Sequence, residues 1–205
     1  IKLLEEYKQA LIHQAVTGQI DVRTGQPYPA YKPSGVEWLG EVPEHWEVRR
    51  IGSFAQVLNG ATPASGNPDY WGDDIVWVTP EDLGRLRDRY VDSSSRQITL
   101  AGYNACGTSI APIGSLVLST RAPIGHLGIL RVKACVNQGC KLLVVGPNMK
   151  SDFLYFALIT ARSWLEALGQ GSTFLELSGL RLAGVKLALP PLPEQNTIVE
   201  YLDTQ

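Results

Sequence analysis

Two spacings of apolar residues divide this sequence, and the change from one to the other limits the possible folds more than any other feature. At the start, Ile1, Leu4, Tyr7, Leu11, Ile12 and Ala15 recur at steps of three and four, with Glu5, Glu6, Lys8 and Gln9 between them. That is the pattern of an amphipathic helix. Thr17-Gly18 should end it, because glycine readily takes the left-handed conformation of a helix stop. From Asp74 to Leu189 the pattern changes to short apolar runs at 74–78, 115–118, 127–132, 141–145 and 185–189, separated by Pro112, Gly114, Pro123, Gly125, Gly139 and Gly146. Such runs read as strands joined by turns.

Within this strand-rich region, Phe153, Phe156, Ala157, Ala161, Trp164, Leu165 and Leu168 share one helical face, opened by Ser151-Asp152 and closed by Gly169. One core helix is therefore expected to pack on a mixed sheet. Thr79-Pro80-Glu81-Asp82 has the order of a capping box with proline at the first helical position, so a short helix should follow the 74–78 strand. Pro190-Pro191-Leu192-Pro193-Glu194-Gln195 breaks the last strand and starts a final helix, with acidic Glu194 in its first turn and a stripe of Ile198, Tyr201 and Leu202.

The expected fold class is α+β: one mixed-sheet domain with at least one core helix, flanked by amphipathic helices. The boundaries drawn are a helix over 1–18, an irregular Gly- and Pro-rich linker over 19–48, the domain over 49–189, and the start of another helix over 190–205. Leu4, Tyr7, Leu11, Ile198, Tyr201 and Leu202 are the candidate interface residues, because a single amphipathic helix of this length needs a partner. The two ends could pair with each other or with a helix of another subunit.

A chain that is 44% hydrophobic is too apolar to be disordered, and its apolar runs fall far short of the roughly 20 residues that span a bilayer. The first six residues lack the basic segment and apolar stretch of a secretory signal. Cys106, Cys135 and Cys140 are odd in number and have no CxxC spacing, and His13, His45 and His126 form no ligand pattern. The expectation is a cytoplasmic protein with reduced cysteines, no metal and no contact with a membrane.

The net charge of −2 argues against a nucleic-acid partner until its distribution is considered. Residues 85–150 carry an excess of +7, against −6 over 1–84 and −3 over 151–205. A polyanion would choose the middle block, which contains Arg85, Arg87, Arg89, Arg121 and Lys141.

Catalytic motifs are missing from the sequence. Ser119-Thr120-Arg121 and Ser172-Thr173 lie outside any GxSxG turn, a triad would have to use His126, and neither a phosphate loop nor a dinucleotide fingerprint is present. Glu81-Asp82 could be a carboxylate pair, but at a helix start such residues more often act as caps. A binding surface has better support. The segments 59–63, 119–125, 137–139 and 169–174 are rich in hydroxyl, amide and glycine groups. Asn59, Thr62, Ser119, Thr120, Arg121, Asn137, Gln138, Ser172 and Thr173 could meet base edges and phosphates, or could be turn residues satisfying their own backbone. Arg121, in a Pro/Gly-bounded loop after a strand, could grip a phosphate or a guanine edge, and phosphate is favoured because positioning contacts outnumber reading contacts.

In order and spacing, these segments resemble the specificity subunits of type I restriction-modification enzymes. The resemblance runs through Ala15-Val16-Thr17-Gly18-Gln19-Ile20-Asp21, Ser34-Gly35-Val36-Glu37-Trp38-Leu39-Gly40-Glu41-Val42-Pro43 and Trp46. It continues through Gly60, Thr62 and Pro63, Tyr70-Trp71-Gly72, Trp77-Val78-Thr79, Ser119 to Gly125, Asn137-Gln138-Gly139, Gly171-Ser172-Thr173-Phe174 and Pro190 to Gln195. It implies one target recognition domain for double-stranded DNA, bordered by parts of the coiled-coil spacer helices. It also implies a non-catalytic role beside methyltransferase subunits and a restriction/translocase subunit.

S-adenosylmethionine, Mg2+ and ATP would then belong to those partners, and this chain would need no cofactor of its own. A complete subunit with two such domains would be about twice as long, so a fragment or a self-dimerising half-subunit is expected. Two alternatives are the recognition module of a fused restriction-methyltransferase enzyme and an interaction module that does not bind DNA.

Overall fold

The first apolar stripe forms helix α1 (Lys2–Val16), which ends as expected at Gly18, with φ at 76°. In the computed structural model, residues 2–121, 123–171 and 175–205 are described. Gly18 is needed sterically as well, because a Cβ there would lie 2.3 Å from the Pro43 Cδ atom.

The 19–48 segment is not an irregular linker. Strands β1 (Tyr31–Pro33) and β2 (Glu41–Pro43) pair as an antiparallel hairpin, and Tyr28, Leu39, Val42 and Trp46 are buried in the main core. Each strand has three residues, too few for a period of two to be visible in the sequence.

The remaining elements follow in order: β3 (Glu47–Arg50), β4 (Ala55–Asn59), β5 (Trp71–Val78), α2 (Pro80–Gly84), β6 (Tyr90–Val91), β7 (Gln97–Ile98), α3 (Leu100–Ala105), β8 (Leu116–Thr120), β9 (Ile124–Leu130), β10 (Ala134–Val136), β11 (Cys140–Val145), α4 (Ser151–Thr160), α5 (Arg162–Ala167), α6 (Gly179–Gly184), β12 (Lys186–Leu189) and α7 (Leu192–Asp203). A five-stranded sheet of order β4-β11-β8-β9-β6 is antiparallel except for its β9–β6 edge. A three-stranded sheet of order β10-β5-β7 has one parallel and one antiparallel pair. Strand β12 returns to pair with β3. The architecture is mixed α+β, as the change of period implied.

The five-stranded sheet is covered on both faces. Leu116, Leu118 and Leu143 point to the helical layer with Phe153, Leu154, Leu158 and Ile198, while Val117 and Leu142 point to the other side with Val78, Leu130 and Val136. Neighbouring strand residues face opposite ways, so a strand whose residues are all buried must lie between two layers. Burying each large apolar side chain contributes about 1.5–3 kcal/mol.

The core helix expected over 151–168 divides at Ala161 into α4 and α5. Its apolar period continues across the joint, so the break leaves no mark in the sequence. Ser151 does not cap α4 but donates to the Gly114 carbonyl at 2.6 Å. The capping box at α2 is present: the Thr79 Oγ1 atom accepts from Asp82 N, and the Asp82 Oδ2 atom accepts from Thr79 N at 2.9 Å.

Glu194, expected as an acid in the first turn of α7, is there and is buried. Its Oε1 accepts from Tyr28 OH at 2.5 Å and from Trp46 Nε1 at 3.1 Å, and its Oε2 lies 2.9 Å from His45 Nε2. Burial and this bond push the Tyr28 phenol far above its usual pKa.

Candidate nucleic-acid interface

Strand register brings most of the candidate segments to one end of the five-stranded sheet. Lys141, near the start of β11, is paired with Asn59 at the end of β4 on one side and with Leu118 of β8 on the other, and Cys140 is opposite Ser119. The loops beyond Asn59, beyond Thr120 and before Cys140 are therefore neighbours. Ala61 N bonds to Val136 O at 3.0 Å, Thr120 N to Gly139 O at 2.8 Å, and Leu177 N to Thr120 O at 3.1 Å. Gly60 lets two of these loops meet, because a Cβ there would lie 2.0 Å from the Asn137 carbonyl oxygen.

Asn59 and Gln138 are exposed at this end, and the Thr62 hydroxyl donates to the Gln138 side-chain oxygen. Asn137 is half-buried, and its Oδ1 accepts from Gly139 N at 3.0 Å, which fixes the turn. The expectation for Ser119 and Thr120 is overturned. Both are fully buried: the Ser119 hydroxyl donates to Pro123 O and accepts from His126 N, while that of Thr120 donates to Gly139 O. Their hydroxyls shape the loop and are turned away from solvent. Ser172 and Thr173 lie outside the described residues.

The basic block proves to be largely neutralised by folding. Arg89, a candidate for DNA contact, is instead taken up by the fold. Its guanidinium is ion-paired with Asp152 at 2.9 Å and with Asp203 of α7, and it lies over the Tyr90 and Phe156 rings. Lys141 is 7% exposed, and burial lowers its pKa, with Glu176 opposing the shift and Arg121 adding to it. Arg85 is exposed and paired with Glu81, and Arg131 pairs with Asp92. Arg87 is exposed. Arg121 remains at the sheet end, with a 3.0 Å bond from its Nη2 to the Glu176 Oε1 atom and both side chains a little over one-third exposed.

A cleft of about 740 Å³ opens beside Asn137, lined by Trp77, Asp82, Arg85, Arg96 and His126 among others. Arg96 is exposed and stacks 3.5 Å from the Trp71 ring centroid, and Trp71 packs edge-on against Trp77, whose indole N–H reaches Ala61 O at 2.9 Å. Sequence reasoning counted Arg96 in the basic block but did not place it in a site. Its signal was the Trp71 and Trp77 pair, which shares one face of a strand. Asp82 is half-buried and serves the fold: burial raises its pKa, but bonds from Ser95 and Thr79 outweigh that and hold it below the usual carboxylate range. The Glu81-Asp82 pair is thus a cap and an ion-pair partner.

The end helices form a seam inside the chain. Leu11, Ile198 and Leu202 are buried in the main core, with Tyr201 partly buried against it. Leu4 and Tyr7, with Leu3, are 60–79% exposed. The stripe on α1 is covered at its C-terminal half and open at its start.

The fold and site thus define an α+β domain that presents polar loops from one end of a sheet covered on both faces. Residues 43–205 match the family model described as the type I restriction modification DNA specificity domain, and the chain belongs to that family. It is 34% identical over 170 residues to the type I restriction enzyme MjaIX specificity subunit of Methanocaldococcus jannaschii, a match covering 80% of this chain and 39% of that one. With the EcoR124I/EcoR124II specificity subunit of Escherichia coli it shares 25% identity, across 99% of this chain and 50% of the other. It therefore spans half or less of these relatives. A crystal structure of the HsdS subunit from Thermoanaerobacter tengcongensis has the same fold, with a TM-score of 0.67 at 21% identity over 99% of this chain and 43% of that one.

Proposed function

We propose that this chain is a target recognition domain that reads double-stranded DNA as part of a type I specificity subunit and directs partner subunits that methylate adenine or cleave DNA. The observation that carries this reading is the convergence of Asn59, Thr62, Gln138 and Arg121 at one end of a rigid sheet. Amide side chains can pair with adenine in the major groove, and a guanidinium can meet guanine or phosphate. The adjacent cleft adds Arg85 and Arg96 as phosphate-facing cations. Family membership favours DNA over a protein or glycan partner.

On this reading the chain is cytoplasmic and performs no chemistry. Methyltransferase subunits would supply the S-adenosylmethionine site, and the motor subunit would use ATP and Mg2+. The exposed Leu3, Leu4 and Tyr7 would meet the methyltransferase or the remainder of the spacer.

Methylome sequencing of a host carrying the intact operon defines the target, and titrations of that duplex and a mixed-sequence duplex then test the reading. Binding should weaken steeply with salt, Arg96→Ala should reduce the magnitude of the salt slope by about 1, and Gln138→Ala should cost roughly 1–3 kcal/mol on the target alone. Affinity for both duplexes that does not depend on salt would reject the reading.

A further inference from the structure

We infer that Glu176 is a specificity-determining residue: in the free chain its carboxylate occupies Arg121, and DNA engages Arg121 only by displacing it. This rests on the DNA-reading function proposed above. Three observations support it.

First, Glu176 is placed by the backbone on both sides. It exchanges two backbone bonds with Gln170, at 3.0 and 2.9 Å, and Leu177 N bonds to Thr120 O at 3.1 Å, one residue before Arg121. The carboxylate therefore sits where the fold puts it.

Second, Arg121 is poorly satisfied in this pairing. A guanidinium has five N–H donors. Here Nη2 reaches Glu176 at 3.0 Å, while Nε is buried with no acceptor among the described residues. A phosphate or guanine edge offers two acceptors side by side and can replace the single bond with a fork. Both side chains are more than one-third exposed, so the exchange can take place at the surface.

Third, Glu176 is an acid placed among cations at the reading end of the sheet, where its charge acts on both Arg121 and Lys141. Non-specific DNA affinity is almost wholly electrostatic, so a carboxylate that neutralises Arg121 withdraws one cation from binding to every sequence. A site whose geometry lets Arg121 fork onto it regains the loss. Discrimination then arises from a repulsive element as well as an attractive one. Arg121, expected from its loop position to grip any phosphate, is on this account held back from most of them.

The test measures binding of the chain to a mixed-sequence duplex across a salt series, for wild type, Glu176→Gln, Glu176→Ala, Arg121→Ala and Arg121→Ala/Glu176→Gln, with thermal melts confirming that each is folded. Glu176→Gln keeps the size of the side chain and removes the charge. It should tighten mixed-sequence binding and steepen the salt slope by about 1, so that its gain is about 3.5-fold larger at about 50 mM than at about 200 mM salt. Glu176→Ala should behave alike, and the gain should vanish when Arg121 is also replaced.

An unchanged or weaker affinity for mixed sequence, as expected if the carboxylate instead accepts from a cytosine amino group, would overturn the inference and leave the DNA-reading function standing. A gain that persists without Arg121 would overturn it too. Absence of salt-dependent duplex binding in wild type and variants would overturn both.

Discussion

The Arg89 guanidinium holds the Asp203 carboxylate at 2.8 Å through Nη2 and the Asp152 carboxylate at 2.9 Å through Nε, tying the turn before β6 to α4 and to the end of α7. At 17% exposure, Arg89 is neither a surface pair nor a fully buried one. Arg89→Ala leaves two carboxylates without their cation and should cost about 1–3 kcal/mol, between the values for surface and buried ion pairs. Chemical denaturation measures this loss. The salt slope of duplex binding should not change.

The same clamp sets an acid limit. The bond from Arg89 holds the Asp203 carboxyl below the usual carboxylate range. A depressed folded pKa contributes stability that is present above the unfolded value of about 3.9 and is lost as pH falls through the folded value. Wild type should therefore lose stability faster than Asp203→Asn below about pH 4, as read by thermal midpoints across an acid series.

Glu194 is the acceptor for both Tyr28 and Trp46. Glu194→Ala strands two buried donors and should lower stability by about 2–4 kcal/mol, seen as a lower denaturant midpoint at unchanged slope. Because the folded Tyr28 phenol is raised, its contribution is complete below the unfolded value of about 10 and declines as pH rises above it. Tyr28→Phe should be less sensitive to alkali than wild type.

Gly60→Ala tests how tightly the loops at the sheet end fit. The added methyl would meet the backbone oxygens of Asn137 and Val136 at 2.0 and 2.5 Å, so the loop must move. Overpacking of this kind costs typically 1–3 kcal/mol. The melt should fall by that amount, and target affinity should fall with it because Thr62 leaves Gln138.

Leu11→Asp and Leu4→Asp separate the two halves of the α1 stripe. Leu11 is buried in the chain's own core, so a charge there should unfold the chain, whereas Leu4 is 60% exposed and should tolerate it. Loss of co-elution with the methyltransferase subunit on gel filtration, with an unchanged melt, is the outcome expected for Leu4→Asp.

Features encoded by neighbouring residues were legible in the sequence. The Thr79–Asp82 cap, the stop at Gly18 and the strand at 74–78 depend on contacts a few residues apart, and each is where the spacing puts it. Features that depend on distant partners were not legible. Arg89 reads as a free cation because its acceptor is 114 residues away, and Glu194 reads as a helix-start acid because its donors are 166 and 148 residues away. Ser119 and Thr120 have side chains suited to DNA, but in a strand covered on both faces their hydroxyls turn inward. The Arg121–Glu176 pair joins residues 55 apart in the sequence, brought together by the bond from Leu177 N to Thr120 O.

The sheet that carries the loops is sealed between its two layers, and this separates two kinds of change in the sequence. Asn59 and Gln138 are exposed at the sheet end, so exchanging them should alter stability by no more than about 0.5 kcal/mol, the usual range for surface positions. Leu116, Val117 and Leu142 allow no such freedom. If the chain reads DNA as proposed, a lineage built on this domain can therefore drift in which bases it prefers while its scaffold stays fixed, acquiring new targets by replacing loop tips alone.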